Sequence, residues 1–360
     1  MKLTAKQKPL AQALAKVAGI IEKRNTIPIL SNILLRAEGD TLTIIGTDLD
    51  VEVVTSIECA IDAPGETTVN AQLFTDIVKK TPPGKEISAE IEKDYLLVKA
   101  GRSRFKVATL PTSDYPRLGD SEFTATFEVP APDFARLFGK ASFAMSTEES
   151  KYYLNGVYFH HSGGNILAVA TDGHRLARVS IADNSEFPGV IVPRKTVAEL
   201  RKTLSIGAVS VSVSKSKIRV DMGDTVVTSK VVDGTFPAYE RIIPNGYANS
   251  VTVDAKDLAR AADRVSAMVE DRSKVVKVSI DSDALSMAAQ GAMGSAEDAI
   301  DADIVGDGVT FGINSTYLRD TLSQAEGGDV VIEYGTGLEP VLMKPKEDEN
   351  FVAVIMPARI

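Results

Sequence analysis

The sequence is poor in the residues that most often carry chemistry. Its 360 residues include one cysteine, three histidines and no tryptophan. The single Cys59 excludes an intrachain disulfide and a multi-cysteine zinc site, which fits a reducing compartment. No apolar run approaches the roughly 18 residues that a membrane span needs, and the N-terminus has no signal-peptide pattern. We therefore expect a cytoplasmic protein with no membrane association.

Signatures of enzymes are also missing. The sequence has no P-loop, no G-x-G-x-x-G and no H-E-x-x-H motif. Ser214 and Lys217 fit S-x-x-K only formally, within an alternating Ser/Lys hairpin, and the pair His160-His161 before Ser162-Gly-Gly is typical of a solvated turn. Carboxylate pairs of the form D-x-D occur at Asp48/Asp50, Asp281/Asp283 and Asp301/Asp303. They leave a metal-dependent nucleic-acid enzyme as an alternative, but we expect no catalytic residue, no metal and no cofactor.

What the sequence does contain is a repeat. Residues 126–145 have the pattern of a strand, a Pro-rich turn and an amphipathic helix with apolar residues at helical spacing. The unit recurs with equivalent helix positions 124 residues apart, at Leu10, Phe134 and Leu258. A second helix series follows each first one by 60 to 64 residues, at Phe74, Val197 and Leu318. The chain therefore has six strand–helix units, which pair into three domains of about 120 residues.

The segments between these helices alternate apolar and polar residues with period two, as in 209–214 and 217–221. Such alternation predicts antiparallel strands with one buried face, and two helices per domain can cover that face. The fold class is therefore α+β. Pro-containing segments before 120–123 and 247–250 place the domain boundaries, which gives domains at 1–121, 122–248 and 249–360.

Charge distribution bears on nucleic-acid binding. The net charge is −9, so a DNA site requires basic residues gathered on one face of an acidic body. Polar or basic residues do recur at matched helix positions, namely Gln12, Arg136 and Arg260, then Lys16, Lys140 and Arg264, and Lys79 and Lys202 on the second series. Any single such face is typical of a solvated helix, whereas the repetition favours a lining that contacts phosphates without reading bases.

The most unusual string is Thr171–Ala177, Thr-Asp-Gly-His-Arg-Leu-Ala. It follows the apolar strand 166–170, so its Asp-Gly pair indicates a turn, and Leu176 resumes a strand. One interpretation is a hairpin on which His174 and Arg175 are polar decoration. The other is a turn whose glycine and side chains form the rim of a pocket.

With these residues in view, the whole chain resembles the bacterial DNA polymerase III beta subunit family, the DNA sliding clamps. The resemblance rests on strings that occur in the family's order: Thr26-Ile-Pro-Ile-Leu, Gly46-Thr-Asp-Leu, Gly101-Arg-Ser-Arg-Phe, Tyr152-Tyr-Leu-Asn-Gly, Ala170-Thr-Asp-Gly-His-Arg-Leu-Ala, Val192-Pro-Arg-Lys, Ser229-Lys-Val-Val-Asp-Gly-Thr-Phe-Pro and Met356-Pro-Ala-Arg-Ile. It implies three repeated clamp-type domains, each with antiparallel sheets packed on two helices. It also implies a ring-forming head-to-tail dimer around duplex DNA.

The family's function gives the expected partners. The resemblance implies a non-enzymatic processivity factor that binds duplex DNA without sequence preference and tethers the replicative DNA polymerase. The clamp loader and repair polymerases are expected to bind through short peptide motifs. A three-domain scaffold that does not bind DNA remains a further alternative.

Residue by residue, the resemblance and the basic helix positions together predict three sites. The DNA-contact set is Arg24, Lys16, Lys79, Arg136, Lys140, Lys151, Tyr152, Tyr153, Arg194, Lys195, Lys202, Arg260 and Arg264. The partner-peptide pocket is Leu154, Thr171, Gly173, His174, Arg175, Leu176, Pro237, Arg241, Ile242, Val354, Met356, Pro357 and Ala358. The dimer interface is Phe105 and Val107 of one chain against Ala267 and Met268 of the other.

Two pocket positions depart from the family pattern. Ala358 stands where the family often has methionine, which removes a flexible thioether from the pocket. Glu240 stands beside Arg241, where a second basic residue is common. Both departures bear on how tightly partners bind, not on which class of partner binds.

Overall fold

The computed structural model describes residues 1–22, 26–119, 122–203, 207–271, 274–281 and 284–360. Its α-helices lie where the two repeated series predict them. They are α1 (Gln7–Ala18), α2 (Ala71–Lys80), α3 (Ala131–Ala141), α4 (Arg194–Thr203), α5 (Ala255–Ser266) and α6 (Ser315–Leu322). No helix within the described ranges is long and apolar enough to cross a membrane.

The strands fall into three runs along the chain. The first run is β1 (Lys2–Lys6), β2 (Asn32–Glu38), β3 (Thr41–Thr47), β4 (Val51–Glu58), β5 (Ala60–Ala63), β6 (Gly65–Asn70), β7 (Glu86–Glu92), β8 (Tyr95–Ala100) and β9 (Ser103–Ala108). The second is β10 (Ala125–Pro130), β11 (Gly156–Ser162), β12 (Asn165–Thr171), β13 (Arg175–Ala182), β14 (Val190–Pro193), β15 (Ala208–Val213), β16 (Lys217–Asp221) and β17 (Thr225–Lys230). The third is β18 (Asn249–Asp254), β19 (Val275–Ile280), β20 (Leu285–Gly291), β21 (Gly294–Ile300), β22 (Asp303–Val305), β23 (Val309–Asn314), β24 (Asp329–Tyr334), β25 (Val341–Pro345) and β26 (Phe351–Ile355).

The helix register predicted from the sequence is confirmed. In α1, Leu10 and Leu14 are buried, and the equivalent Phe134 and Phe138 of α3 are fully buried. The corresponding face of α5 is also buried, at Leu258, Ala261, Ala262 and Val265. Each helix therefore buries one apolar stripe, as its spacing predicts.

The chain forms two compact units. Unit 1 comprises Met1–Ala135 and Glu186–Val231. It contains a five-stranded sheet in the order β5-β1-β7-β8-β9 and an eight-stranded sheet in the order β10-β15-β16-β17-β4-β3-β2-β6. Helices α1 and α2 pack together, and the Gln7 side-chain amide donates a 3.1 Å hydrogen bond to the Val78 carbonyl.

Unit 2 comprises Arg136–Ser185 and Val232–Ile360. Its larger sheet runs β11-β12-β13-β26-β25-β24-β18-β22, and a four-stranded sheet runs β21-β20-β19-β23. Helices α5 and α6 pack on each other, and α5 also covers β20 and β21. The C-terminal half of α3 packs on this unit's larger sheet through Phe138 and Phe159, whose ring centroids lie 5.3 Å apart.

Continuous sheets cross the predicted domain boundaries, which the sequence did not indicate. In unit 1, β4 pairs with β17 from Thr55–Thr225 to Val51–Ser229. In unit 2, β13 pairs with β26 from Arg175–Ile355 to Val179–Phe351. The division into compact units therefore cuts through the central third of the sequence, because backbone hydrogen bonds join its strands to strands on both sides.

Candidate partner, DNA-contact and interface sites

The turn between β12 and β13 is held by two side chains. Thr171 Oγ1 donates to the Arg175 carbonyl at 2.7 Å and accepts from the Gly173 amide at 3.1 Å. Asp172 Oδ1 accepts from the amides of His174 and Arg175 at 2.9 and 3.0 Å. Gly173 has φ +93°, in the left-handed region that glycine adopts without strain. The Asp-Gly turn predicted from the sequence is confirmed.

Strand pairing places the C-terminal segment beside this turn. Leu176 lies opposite Val354 in the β13–β26 ladder, and both side chains are buried. The Met356 amide donates to the His174 carbonyl at 2.8 Å, and the Ala358 amide donates to the Gly312 carbonyl at 2.9 Å. Two segments that are distant in sequence and belong to the predicted pocket thus lie side by side, with Met356 39 % exposed.

Arg175 is fixed at the centre of a charged and aromatic cluster. Its Nε donates to Asp172 at 3.1 Å, and its Nη1 lies 2.6 Å from Asp320 of α6. The guanidinium lies 4.4 Å from the ring centroid of Tyr317 and 5.3 Å from that of Phe143. Two carboxylates and two aromatic rings in contact with one planar cation hold it in a fixed orientation.

Tyr317 and Phe143 were missed by the sequence reasoning. Tyr317 also stacks on His174, with ring centroids 6.4 Å apart. For Tyr317, the signal in the sequence was an aromatic residue near the start of α6. Helix periodicity does not predict which residues of other elements it contacts.

A third segment, 236–242, lies against β11. Phe236 stacks on Tyr158 with centroids 4.9 Å apart, and the Tyr239 hydroxyl lies 3.1 Å from Nε2 of His160. The prediction that His160 belongs to a solvated turn is wrong, since its side chain is only 6 % exposed beneath this segment. Among the predicted pocket residues nearby, Leu154 is buried, Pro237 is half-buried, and Arg241 and Ile242 are exposed.

A second copy of the β12–β13 turn occurs in unit 1, 124 residues earlier. Thr47 Oγ1 donates to the Val51 carbonyl at 3.0 Å and accepts from the Leu49 amide at 3.1 Å. Asp48 Oδ1 accepts from the amides of Asp50 and Val51. Leu49 stands where the other turn has Gly173 and adopts φ +79°. The repeat therefore extends to individual hydrogen bonds.

Several residues of the predicted DNA-contact set already pair with carboxylates. Arg136 Nη2 lies 2.5 Å from Asp348, and Lys140 lies 3.1 Å from the same carboxylate. In unit 1, Lys16 lies 2.8 Å from Asp224, and Lys195 pairs with Asp48. Burial by itself would raise the pKa of Asp48, but the hydrogen bond from Lys195 and those from the turn amides hold that pKa below its ordinary value.

Other members of the set are more open to solvent. Arg260 and Arg264 on α5 have side chains 68 % and 58 % exposed, and they lie 3.5 Å from Asp257 and 2.6 Å from Asp298. Lys79 is exposed on α2, Arg194 is half-buried at the start of α4, and Lys202 is exposed 2.9 Å from Glu199. Arg24 lies outside the described residues.

Lys151, Tyr152 and Tyr153 form one surface group. Lys151 lies 3.0 Å from Glu148, and Tyr152 is 55 % exposed with its ring edge-on to Tyr153 at 5.7 Å. A Cβ on Gly173 would lie 3.9 Å from the Lys151 ammonium, so this group borders the pocket turn.

The four predicted interface residues differ in exposure. Phe105 lies on β9, the edge strand of the five-stranded sheet, and is 37 % exposed, whereas Val107 on the same strand is 3 % exposed. Ala267 is exposed at the C-terminus of α5. Met268 is half-buried against the β20–β21 hairpin, where a Cβ on Gly294 would lie 3.2 Å from its terminal methyl.

Three family models match the chain in succession. The model of the DNA polymerase III beta subunit N-terminal domain matches residues 1–119, that of the central domain matches 128–238, and that of the C-terminal domain matches 240–359. The chain belongs to the DNA polymerase III beta subunit family. It is therefore a sliding clamp, a non-catalytic processivity factor of a DNA polymerase, and members of this family tether that polymerase.

Similar proteins support the same membership over the full length. The chain is 38 % identical over 372 aligned positions to the beta sliding clamp of Caulobacter vibrioides, with 100 % of both chains covered. It is 35 % identical over 369 positions to that of Pseudomonas aeruginosa, again with 100 % of both covered. A solved sliding clamp of Bartonella birtlesii bound to griselimycin superposes with a TM-score of 0.96 at 38 % identity and 100 % coverage of both chains. The α+β fold of repeated clamp-type domains is thereby confirmed.

Membership in the clamp family does not support the metal-dependent alternative. Within the described ranges, no group of three or more His, Cys, Asp or Glu side chains could hold a metal ion. Asp48 is engaged by turn amides and Lys195, and Asp283 lies outside the described residues. Ser214 and Lys217 close a hairpin, where the Lys217 amide donates to Ser214 Oγ at 3.0 Å.

Proposed function

We propose that two copies of this chain form a head-to-tail ring around duplex DNA and hold the replicative polymerase through the pocket on unit 2. The observation that carries the proposal is the β13–β26 ladder, which sets Leu176 against Val354 and ties Met356 to His174. Buried apolar side chains flanked by a few fixed polar groups are the usual composition of a peptide site.

In this proposal the pocket takes a short extended peptide with a glutamine and apolar anchors. Leu176 and Val354 contribute to its floor, and Met356 and Ile242 are exposed enough to contact the anchors. Arg175, held by Asp172 and Asp320, presents its fixed guanidinium at the rim. The clamp loader and repair polymerases would compete for the same pocket, so binding one excludes another.

The DNA-contact role falls chiefly on the cations that remain open to solvent. Arg260, Arg264, Lys79 and Lys202 are exposed. The Asp257 partner of Arg260 is exposed as well, so this ion pair is weak and a phosphate can replace it. Arg136 and Lys140 contribute less, because their side chains are only 24 % and 16 % exposed and share the Asp348 carboxylate. Contacts to phosphate alone explain binding without sequence preference.

Charge and strand edges support the head-to-tail arrangement. The exposed edge strand β9 carries Arg104 and Lys106, and the edge strand β21 carries the exposed Glu297. A β9 edge set against the β21 edge of a partner would pair opposite charges and cover two unpaired backbone edges. We also propose that the three domains end after residues 121, 248 and 360. The clamp would act in the cytoplasm, where bacterial DNA is replicated.

A C-terminal truncation separates retention on DNA from binding of the polymerase peptide. Deleting Met356–Ile360 removes the hydrogen bonds to His174 and Gly312 and the exposed Met356, but leaves every strand of the larger sheet. We expect the deleted protein to remain on nicked circular DNA and slide off linear DNA as the full chain does. Its affinity for a Gln-containing polymerase peptide should fall at least about tenfold, or 1.4 kcal/mol, as measured by calorimetric titration.

Each result has a clear opposite. Equal retention of the full chain on linear and circular DNA would reject the ring. Equal peptide affinities for the full and deleted chains would remove the C-terminus from the partner site.

A further inference from the structure

One buried contact fastens the segment that carries Pro237, Arg241 and Ile242. Tyr239 is 3 % exposed, and its hydroxyl lies 3.1 Å from Nε2 of His160 on β11. We propose that His160 is a positioning residue of the partner pocket, which holds this segment through Tyr239 and makes peptide binding weaken in mild acid. The inference rests on the proposed pocket and names a regulation of it.

The imidazole of His160 is fixed on both of its nitrogens. Nδ1 lies 3.4 Å from the His161 carbonyl, and the ring stacks on Tyr158 with centroids 4.4 Å apart. A carbonyl only accepts, so Nδ1 carries the proton in the neutral ring and Nε2 accepts from the Tyr239 hydroxyl. Phe236 also stacks on Tyr158, which extends the same contact to the start of the segment.

The repeat within the chain supplies an internal comparison. Tyr115 precedes Tyr239 by 124 residues, as Arg117 precedes Arg241. The Tyr115 hydroxyl donates to the main-chain carbonyls of Ile45 at 3.0 Å and Asn32 at 3.4 Å. Main-chain carbonyls do not titrate near neutral pH, so of these two tyrosines only Tyr239 has a titratable acceptor.

The charged and titratable groups around His160 decide the sign of the pH effect. His161 and Tyr158 flank it on its own strand, Tyr239 and Glu240 face it from the segment, and Arg178 of β13 acts on Tyr239. Burial lowers the pKa of His160, and the hydrogen bond to the His161 carbonyl and the charge of Glu240 oppose that shift only in part. The folded pKa is thus below the ordinary 6.5, so the contribution of the neutral, buried ring to holding the segment is complete above pH 6.5 and is lost as the pH falls through the lower folded value. Protonation puts a charge on the buried ring and turns Nε2 from an acceptor into a donor, so the Tyr239 hydroxyl has to reverse its role.

The test uses the full chain and a fluorescein-labelled peptide with one glutamine and apolar anchors. At pH 7.5 we expect His160→Leu and Tyr239→Phe each to weaken peptide binding by about three- to tenfold, the range for one hydrogen bond. The wild-type affinity should also fall by about threefold more than that of His160→Gln between pH 7.5 and pH 5.5, because glutamine keeps an acceptor that does not titrate. His174 at the pocket rim is present in every variant, so its contribution to binding is common to both sides of this comparison.

Tyr115→Phe is the matched control and should leave peptide affinity unchanged. Thermal unfolding of each variant identifies any that fails to fold, and the pH profile of His160→Gln decides the matter if His160→Leu does not. Identical pH profiles for wild type and His160→Gln would overturn the inference while leaving the pocket intact. Absence of peptide binding by the wild type at every pH would instead reject the pocket itself and the inference with it.

Discussion

At the scale of single residues, the two equivalent turns show how one fold position accepts different side chains. Both turns use a threonine hydroxyl and an aspartate oxygen in the same four hydrogen bonds. Both have a left-handed residue after the aspartate, Leu49 in one and Gly173 in the other. A side chain in that conformation costs about 1–2 kcal/mol, which unit 1 tolerates and the turn at the pocket avoids.

Gly173→Ala should therefore destabilise the protein by about 1–2 kcal/mol. Space is not the cause, since the added Cβ would meet only the Lys151 ammonium at 3.9 Å. Gly139→Ala is the control. Gly139 lies inside α3, where alanine gains about 0.5–1 kcal/mol over glycine. Urea denaturation of both variants should give shifts of opposite sign, and shifts of the same sign would mean that backbone conformation does not control these sites.

At the scale of elements, helices α3 and α5 carry equivalent basic residues in different environments. Arg136 and Arg260 occupy the same register, yet Arg136 is 24 % exposed at 2.5 Å from Asp348, while Arg260 is 68 % exposed. Lys140 and Arg264 differ in the same way, at 16 % and 58 %. The basic residues of α3 therefore form ion pairs within the protein, whereas those of α5 are exposed enough to contact a polyanion.

This difference predicts unequal effects on DNA binding. Arg260→Ala with Arg264→Ala should flatten the dependence of log affinity on log salt by about 0.9 for each phosphate that the protein no longer neutralises. Arg136→Ala with Lys140→Ala should change that slope less and should lower the free energy of unfolding more, because it leaves Asp348 without its two cations. Titrations of duplex DNA at several salt concentrations, together with urea denaturation, measure both quantities. The reverse ranking of slopes would assign the DNA face to α3.

Local periodicity explains which parts of the fold and site could be predicted. Helix faces such as Leu10–Leu14 follow from spacing within one element, and the Asp172-Gly173 turn follows from the residues themselves. The pairing of Lys140 with Asp348 and the burial of His160 depend on tertiary contacts between segments 208 and 79 residues apart. Periodicity within an element carries no information about such contacts. Sequence reasoning therefore assigned Arg136 and Lys140 to a phosphate-contacting lining and His160 to a solvated turn.

At the scale of the whole molecule, the proposed head-to-tail assembly uses two exposed strand edges, β9 and β21. We expect Phe105→Ala with Met268→Ala to give a folded monomer, because the first removes an apolar ring 37 % exposed on the β9 edge and the second thins the packing beside β21. Sedimentation velocity at micromolar concentration measures the result. Leu73→Ala, which removes a side chain 48 % exposed on α2, should leave the dimer intact. A double variant that still sediments as a dimer would locate the interface elsewhere.

The β4–β17 ladder limits how the chain can be divided. Its strands pair along Val51–Thr55 and Thr225–Ser229, which lie far apart in sequence. A fragment that ends after the N-terminal family match would lack β17. Strand β4 would then be an edge strand with unpaired backbone groups, which favours self-association. Swapping such a segment between relatives would likewise require β17 to be exchanged with it. The repeats along this chain resemble one another in sequence, but a single repeat cannot be transferred without the strands that pair with it.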